Sequence, residues 1–165
     1  MAEILVREAV SECDVEQVRT LMQSYGVYLS ENPNGAASIC LEGYARELQE
    51  LPKPYRTLLL ATVDGAPAGC VALKTISSPA ISESRACEMK RLWVAQDFRG
   101  HGLGRRLVTE VLAWARKAGY EAMYLDTVPS AMPEANRLYE AMGFNRVERY
   151  NKNPIADVVF FRLTL

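Results

Sequence analysis

Residues Glu88 to Leu112 read EMKRLWVAQDFRGHGLGRRLVTEVL, and this stretch decides how the chain is understood. It predicts a strand, a turn, a glycine-rich loop and a helix. Along Cys87 to Val94, β-friendly residues mix with charged ones at period two. That alternation sends Glu88, Lys90, Leu92 and Val94 one way, and Met89, Arg91 and Trp93 the other. Arg99-Gly100-His101-Gly102-Leu103-Gly104 follows. Three glycines at alternate positions leave no Cβ on the inner wall of a turn, so several backbone N–H groups can point at one spot. A helix begins there, and its first turn carries unpaired N–H groups and about half a positive charge. Such an assembly binds anions. Arg99, Arg105 and Arg106 add full positive charges around it, and the expected ligand is a phosphate, above all a pyrophosphate.

The spacing narrows the choice of ligand. A dinucleotide fingerprint needs G-x-G-x-x-G, and G-x-G-x-G falls one residue short. A Walker loop needs Lys-Ser/Thr after its last glycine, where this chain has Arg105-Arg106. Magnesium–nucleotide binding and nicotinamide chemistry are therefore both unsupported.

Bulk properties set further bounds. A chain of 165 residues can bury one real core and is short for two domains, so a single domain over residues 1–165 is expected. Apolar residues make up 49% and charged ones 24%, the balance of a globular protein. A net charge of −1 offers no bulk attraction to nucleic acid or an anionic membrane. No apolar run approaches the about 20 residues that cross a bilayer. The start, MAEILVREAV, does not read as a secretion signal. Cys13, Cys40, Cys70 and Cys87 form no C-x-x-C pair, as befits reduced thiols in a cytoplasmic protein. A single histidine makes a His-based zinc site or a Ser-His-Asp triad improbable, so no metal is expected. That histidine, His101, lies in the glycine loop and reads as a residue near the ligand, not a catalyst.

Outward from the central stretch, the elements alternate. Glu3 to Ala9 predicts a strand. An apolar stripe from Val15 to Leu29 predicts a helix over Asp14 to Ser30, capped at Ser11 and broken at Asn32-Pro33-Asn34-Gly35. Leu41 to Leu51 predicts a second helix, ended by Pro52 and Pro54. Thr57 to Val63 is an apolar strand. Asp64-Gly65 signals a hairpin turn, and Ala68 to Ile76 returns. The central strand follows as its antiparallel neighbour. The helix after the loop runs to Ala118, with Leu103, Leu107, Val111 and Trp114 inward. Glu121 to Asp126 is a strand parallel to the central one. Pro133 to Met142 is a helix, and Phe144 to Tyr150 and Val158 to Leu165 close the sheet.

Two motifs now resemble a known family. Arg99, Gly102 and Gly104 fit Arg/Gln-x-x-Gly-x-Gly/Ala, the acetyl-CoA loop of the GNAT superfamily of N-acetyltransferases. Ala135-Asn136-Arg137-Leu138-Tyr139-Glu140-Ala141-Met142-Gly143-Phe144 is similar to that family's A-x-x-L-Y-x-x-x-G-F signature. The resemblance implies an α/β acyl-CoA N-acyltransferase (GNAT) fold. Its central sheet is mixed and mostly antiparallel, flanked by helices, and a splayed parallel strand pair binds CoA.

It also implies acetyl-CoA as the acyl-donor substrate and a primary amine, on a small molecule or a peptide, as acceptor. Direct transfer in a ternary complex is the implied route. Nucleic-acid and membrane partners are not expected, and a homodimer stays open. Backbone groups of Leu92, Trp93 and Val94, after a bulge near Trp93 and Val94, are the implied partners of the pantetheine arm. The Val94 N–H is the candidate oxyanion donor. The loop residues Arg99, Gly100, His101, Gly102, Leu103, Gly104 and Arg105 are implied around the phosphates.

Tyr139 matches the family's usual general acid, with a packed aromatic beside Phe144 as the alternative. Asn136, one turn earlier, is a candidate ligand of the CoA arm or a plain helix amide. Glu88 stands eleven residues before Arg99, the strand position of the glutamate base in histone-type members. It could accept the ammonium proton, bind the amine, or simply pair with Lys90 or Arg91. Cys87 should face away from Glu88, which disfavours an acyl-cysteine route. Lys90, Arg91, Arg105 and Arg106 could form a solvated face or meet the adenosine 3′-phosphate. A non-catalytic acyl-CoA sensor on the same fold is the alternative function. The acceptor half is expected in Ser24 to Lys53, Ser77 to Ser84 and Tyr150 to Pro154, which carry no readable signature.

Overall fold

The computed structural model describes residues 1–32 and 41–165, with the backbone alone at 41 and 42. The predicted break at positions 33–35 and Cys40 lie outside the described residues. The strands are β1 (Ile4–Glu8), β2 (Thr57–Val63), β3 (Ala66–Ile76), β4 (Ala86–Val94), β5 (Ala122–Thr127), β6 (Asn145–Val147) and β7 (Val159–Thr164). They form one sheet in the order β1-β2-β3-β4-β5-β7-β6. Every neighbouring pair is antiparallel except β4 and β5, which run parallel. The helices are α1 (Glu12–Glu31), α2 (Leu41–Glu50), α3 (Leu103–Lys117) and α4 (Pro133–Ala141).

The helices cover opposite faces because each presents one apolar stripe. In α3 the buried residues are Leu103, Leu107, Val108, Val111, Leu112 and Ala115, the spacing of one helical face. They pack on Val71, Met89, Met123 and Phe161, with Tyr139 of α4 in the same cluster. Burying each large side chain contributes roughly 1.5–3 kcal/mol. On the other face, Val18, Leu21 and Met22 of α1 and Tyr44 and Leu48 of α2 cover Leu58, Leu60 and Trp93. Ser11 caps α1 as its sequence suggests, its hydroxyl accepting from the Asp14 N–H at 3.1 Å.

Two sequence expectations need correction. β6 covers three residues, not the predicted 144–150. Tyr150 leaves the ladder and turns inward, buried against Tyr124 and Phe160.

The second correction lies in β4. Cys70 pairs with Trp93, but Ala72 pairs with Lys90, so β4 carries one more residue than β3 between those pairs. That is a β-bulge, and Arg91 takes a φ of 59° within it. The extra residue reverses the alternation. Trp93 therefore shares the α1/α2 face with Lys90 and packs on Tyr25 and Tyr28, while Leu92 and Val94 join Met89 beneath α3. Period two alone predicts Val94 with Glu88 and Trp93 with Met89; the bulge at Arg91–Leu92, two residues earlier than expected, undoes both.

Candidate active site

The bulge opens the sheet. β4 and β5 pair only at Ala86–Ala122, Cys87–Met123 and Glu88–Tyr124. Beyond that point β4 follows β3 as far as Val94, whereas β5 follows β7 as far as Thr127. The two strands diverge and leave backbone edges facing a gap. The Ala95 N–H donates to the Ala68 carbonyl at 2.9 Å. Ladder alternation therefore turns the Val94 N–H and C=O away from β3, toward the gap. The Val94 carbonyl is taken there by Arg99 Nε at 3.0 Å. Its N–H is directed into the same gap.

One cavity, about 460 Å³, lies where the gap meets the start of α3. It gathers Leu92, Trp93 and Val94 with Arg99, Gly100, Gly102, Leu103, Gly104 and Arg105. Gly100 and Gly102 take φ of 83° and 75°, the left-handed region that favours glycine. Gly102 is the N-cap of α3 and supplies no side-chain cap, so the helix's first N–H groups are left for a ligand. A Cβ on either glycine would meet nothing within 4 Å, so the wall is open there. Gly104 serves packing instead: a Cβ there would stand 3.4 Å from Leu138 of α4. The Arg99 guanidinium is held 4.7 Å from the Trp93 ring and 5.1 Å from Tyr28. An uncapped helix start, an open glycine turn and an inward-turned backbone amide fit a diphosphate followed by a thin amide-bearing arm.

A second cavity of about 250 Å³ shares Leu92, Ala131, Met132 and Ala135 with the first, so the two abut through the gap. Tyr139 and Asp126 both line it, with Tyr25, Tyr44 and Glu47 from α1 and α2 and Asn153 from the tail. Tyr139 is buried, and its hydroxyl forms no hydrogen bond among the described residues. Burial first, then the charges of Tyr25 and Asp126, push Tyr139 well above the usual phenol range, so it is held protonated. The Asp126 Oδ2 accepts from Asn151 Nδ2 at 2.7 Å and from Asn153 Nδ2 at 3.3 Å. Glu47 accepts two 2.9 Å bonds from Arg91, which also lies over the Tyr44 ring.

A family model described as Acetyltransferase (GNAT) family matches residues 19–144. The chain belongs to the GNAT acetyltransferase family. Over 122 residues it is 38% identical to a Schizosaccharomyces pombe protein described as an uncharacterized N-acetyltransferase, spanning 73% of this chain and 71% of that one. A GNAT-family acetyltransferase from Staphylococcus aureus Mu50 superposes with a TM-score of 0.76 at 17% identity, over 98% of this chain and 99% of that one. Aminoglycoside N-acetyltransferase AAC(6′)-Iy, solved in complex with CoA, superposes at 0.70 with 18% identity, over 94% and 97% of the two chains. At such identities these structures speak for the fold.

Within this GNAT domain the remaining sequence candidates fall differently. His101 is exposed and lines neither cavity among the described residues. Asn136 is buried facing β5, where Nδ2 donates to Thr127 Oγ1 at 3.0 Å and to the Met132 carbonyl at 2.9 Å; it too lines neither cavity. Glu88 is 3% exposed and sits beneath the smaller cavity, outside its lining. It accepts from the Tyr150 hydroxyl at 2.5 Å and faces Lys74 at 3.6 Å and Lys90 at 3.7 Å. Arg91, the other suggested partner, goes to Glu47 instead. Cys87 lies under α3, away from Glu88, and burial pushes its thiol up to about 12, unsuited to a nucleophile.

Sequence reasoning missed Asp126 and Lys90 as lining of the smaller cavity, and it covered Glu47 only as part of the 24–53 segment. Asp126 was legible only as the end of a strand. Its carboxylate is fixed by two asparagines of the tail segment, and the Ser78 hydroxyl steadies that tail through the Tyr150 carbonyl at 3.0 Å. The 77–84 segment itself reaches neither cavity.

Proposed function

We propose that this protein moves the acetyl group of acetyl-CoA to a primary amine by direct transfer in a ternary complex. The diphosphate rests on the first turn of α3 between Gly100 and Arg105. The pantetheine arm runs along Leu92 to Val94 in the gap and carries the thioester to the border of the two cavities. The acceptor's ammonium group lies against Asp126, which takes one proton before the neutral nitrogen attacks, and the second N–H proton passes to water as the tetrahedral intermediate collapses. The Val94 N–H steadies the oxygen as charge develops on it. The N–C bond forms and the C–S bond breaks. Tyr139, neutral at working pH, lends its proton to the departing thiolate and recovers one from solvent. Glu88 is the buried counter-ion that orders Lys90, Lys74 and Tyr150 beneath the site.

The observation that carries this reading is the abutment of the two cavities at the β4–β5 gap. One holds the anion-binding loop and the other holds Tyr139 beside Asp126. The CoA-bound aminoglycoside acetyltransferase of the same fold supports an amine acceptor. The test is thiol release from acetyl-CoA against a panel of primary amines, with both substrates varied. Amine-dependent release with converging double-reciprocal lines is expected. Parallel lines would contradict direct transfer, and acetyl-CoA binding without release on any amine would favour a sensor.

A further inference from the structure

The acceptor cavity holds two charges that lack an opposite charge of their own. On the β4 side, Lys90 lines the cavity and shares Glu88 with Lys74, at 3.7 and 3.6 Å. One carboxylate against two ammonium groups leaves one positive charge, and only Lys90 of the two reaches the cavity. On the β5 side, Asp126 is held by the neutral amides of Asn151 and Asn153, and no cation pairs with it among the described residues. The remaining charged lining, Arg91 and Glu47, cancels itself. Continuing the parallel register from Glu88–Tyr124 by two residues sets Lys90 across from Asp126 on one face of the sheet. The strands have parted there, so the two charges stand on opposite walls without meeting.

We propose that the acceptor is a small amine that also carries a carboxylate, an amino-acid-like zwitterion, and that Lys90 selects for it. The ammonium group lies against Asp126, beside Tyr139, and the carboxylate lies against Lys90. One uncompensated positive charge matches a singly charged carboxylate and not a doubly charged phosphate. A cavity of about 250 Å³ suits a free amino acid rather than a folded polypeptide end. The inference rests on the acetyl-transfer reading above and adds the acceptor class to it.

The test compares three acceptors with the same side chain: an α-amino acid, its α-carboxamide, and the corresponding amine with no carboxyl carbon. A series of side chains and of ω-amino acids is run in the same way, and kcat/KM is read from thiol release. Wild type should prefer the carboxylate form over the amide by about tenfold or more, the effect of one charge-assisted contact, carried mainly in KM. Lys90→Gln should bring that ratio close to one, and Lys90→Arg should keep it. Acetyl-CoA binding by calorimetry reports whether each variant is folded. Release with no preference for carboxylates in wild type, or a preference that survives Lys90→Gln, overturns the proposal and leaves acetyl transfer standing. No release with any amine overturns acetyl transfer, and the proposal with it.

Discussion

Arg99 Nε donates to the Val94 carbonyl at 3.0 Å, so the first charged residue of the glycine loop is tied to the last residue of β4. The tie fixes the loop relative to the strand edge that faces the gap. Arg99→Ala should raise the acetyl-CoA Kd about tenfold or more and cost about 1–3 kcal/mol of stability, through the lost charged hydrogen bond and the ring contacts with Trp93 and Tyr28. Calorimetric titration and urea unfolding measure both. An unchanged Kd would dissociate Arg99 from the donor site.

Tyr139→Phe should lower kcat about a hundredfold or more, as loss of a general acid does, with little change in acetyl-CoA affinity. Its hydroxyl holds no other group among the described residues, so the fold should not suffer. Steady-state turnover beside a thermal melt separates the two effects. Turnover equal to wild type removes this residue from the chemistry.

Gly102→Val should abolish acetyl-CoA binding. The position has a φ of 75°, where a β-branched residue costs at least about 1–2 kcal/mol, and the added side chain would project into the open wall of the larger cavity. Binding at wild-type strength would refute the loop assignment.

Glu88→Gln keeps the shape but removes the charge that Lys74 and Lys90 share. It should cost about 1–3 kcal/mol of stability, because the carboxylate is buried. It should lower kcat less than Asp126→Asn does, since Asp126 lines the cavity and Glu88 does not. A larger kcat loss at Glu88 than at Asp126 would restore Glu88 as the base.

Burial alone would raise the Glu47 carboxyl, but the hydrogen bonds and charge of Arg91 outweigh it and hold Glu47 below its ordinary value of 4.5. Folding therefore favours the ionised form. This contribution is complete above about pH 4.5 and is lost as pH falls through the lower folded value. Urea midpoints between about pH 6 and pH 3 should fall more steeply for wild type than for Glu47→Gln. Parallel curves would show that the pair does not stabilise the fold.

The sequence exposes whatever local chemistry decides. The Thr57–Ile76 hairpin follows from apolar strands about Asp64-Gly65, and α3 follows from its apolar spacing and the glycines before it. The bulge at Arg91 carries no glycine or proline to announce it. Lys90-Arg91-Leu92-Trp93 looks like regular strand, so the facing of Arg91, Trp93 and Val94 could not be read. Asn136 sits on the expected helix, but the angular phase of α4 turns it to Thr127 instead of into a cavity. Asp126 needs Asn151 and Asn153, far along the chain, before its carboxylate has a fixed direction. Tyr139 was legible because its motif places it one helix beyond the parallel strand, and α4 stands there.

A crystal structure with CoA should show the diphosphate on the amides from Gly100 to Arg105, the arm along Leu92 to Val94, and the sulfur within hydrogen-bonding reach of the Tyr139 hydroxyl. A sulfur on the far side of β4 from Tyr139, or CoA bound away from the glycine loop, would contradict that placement.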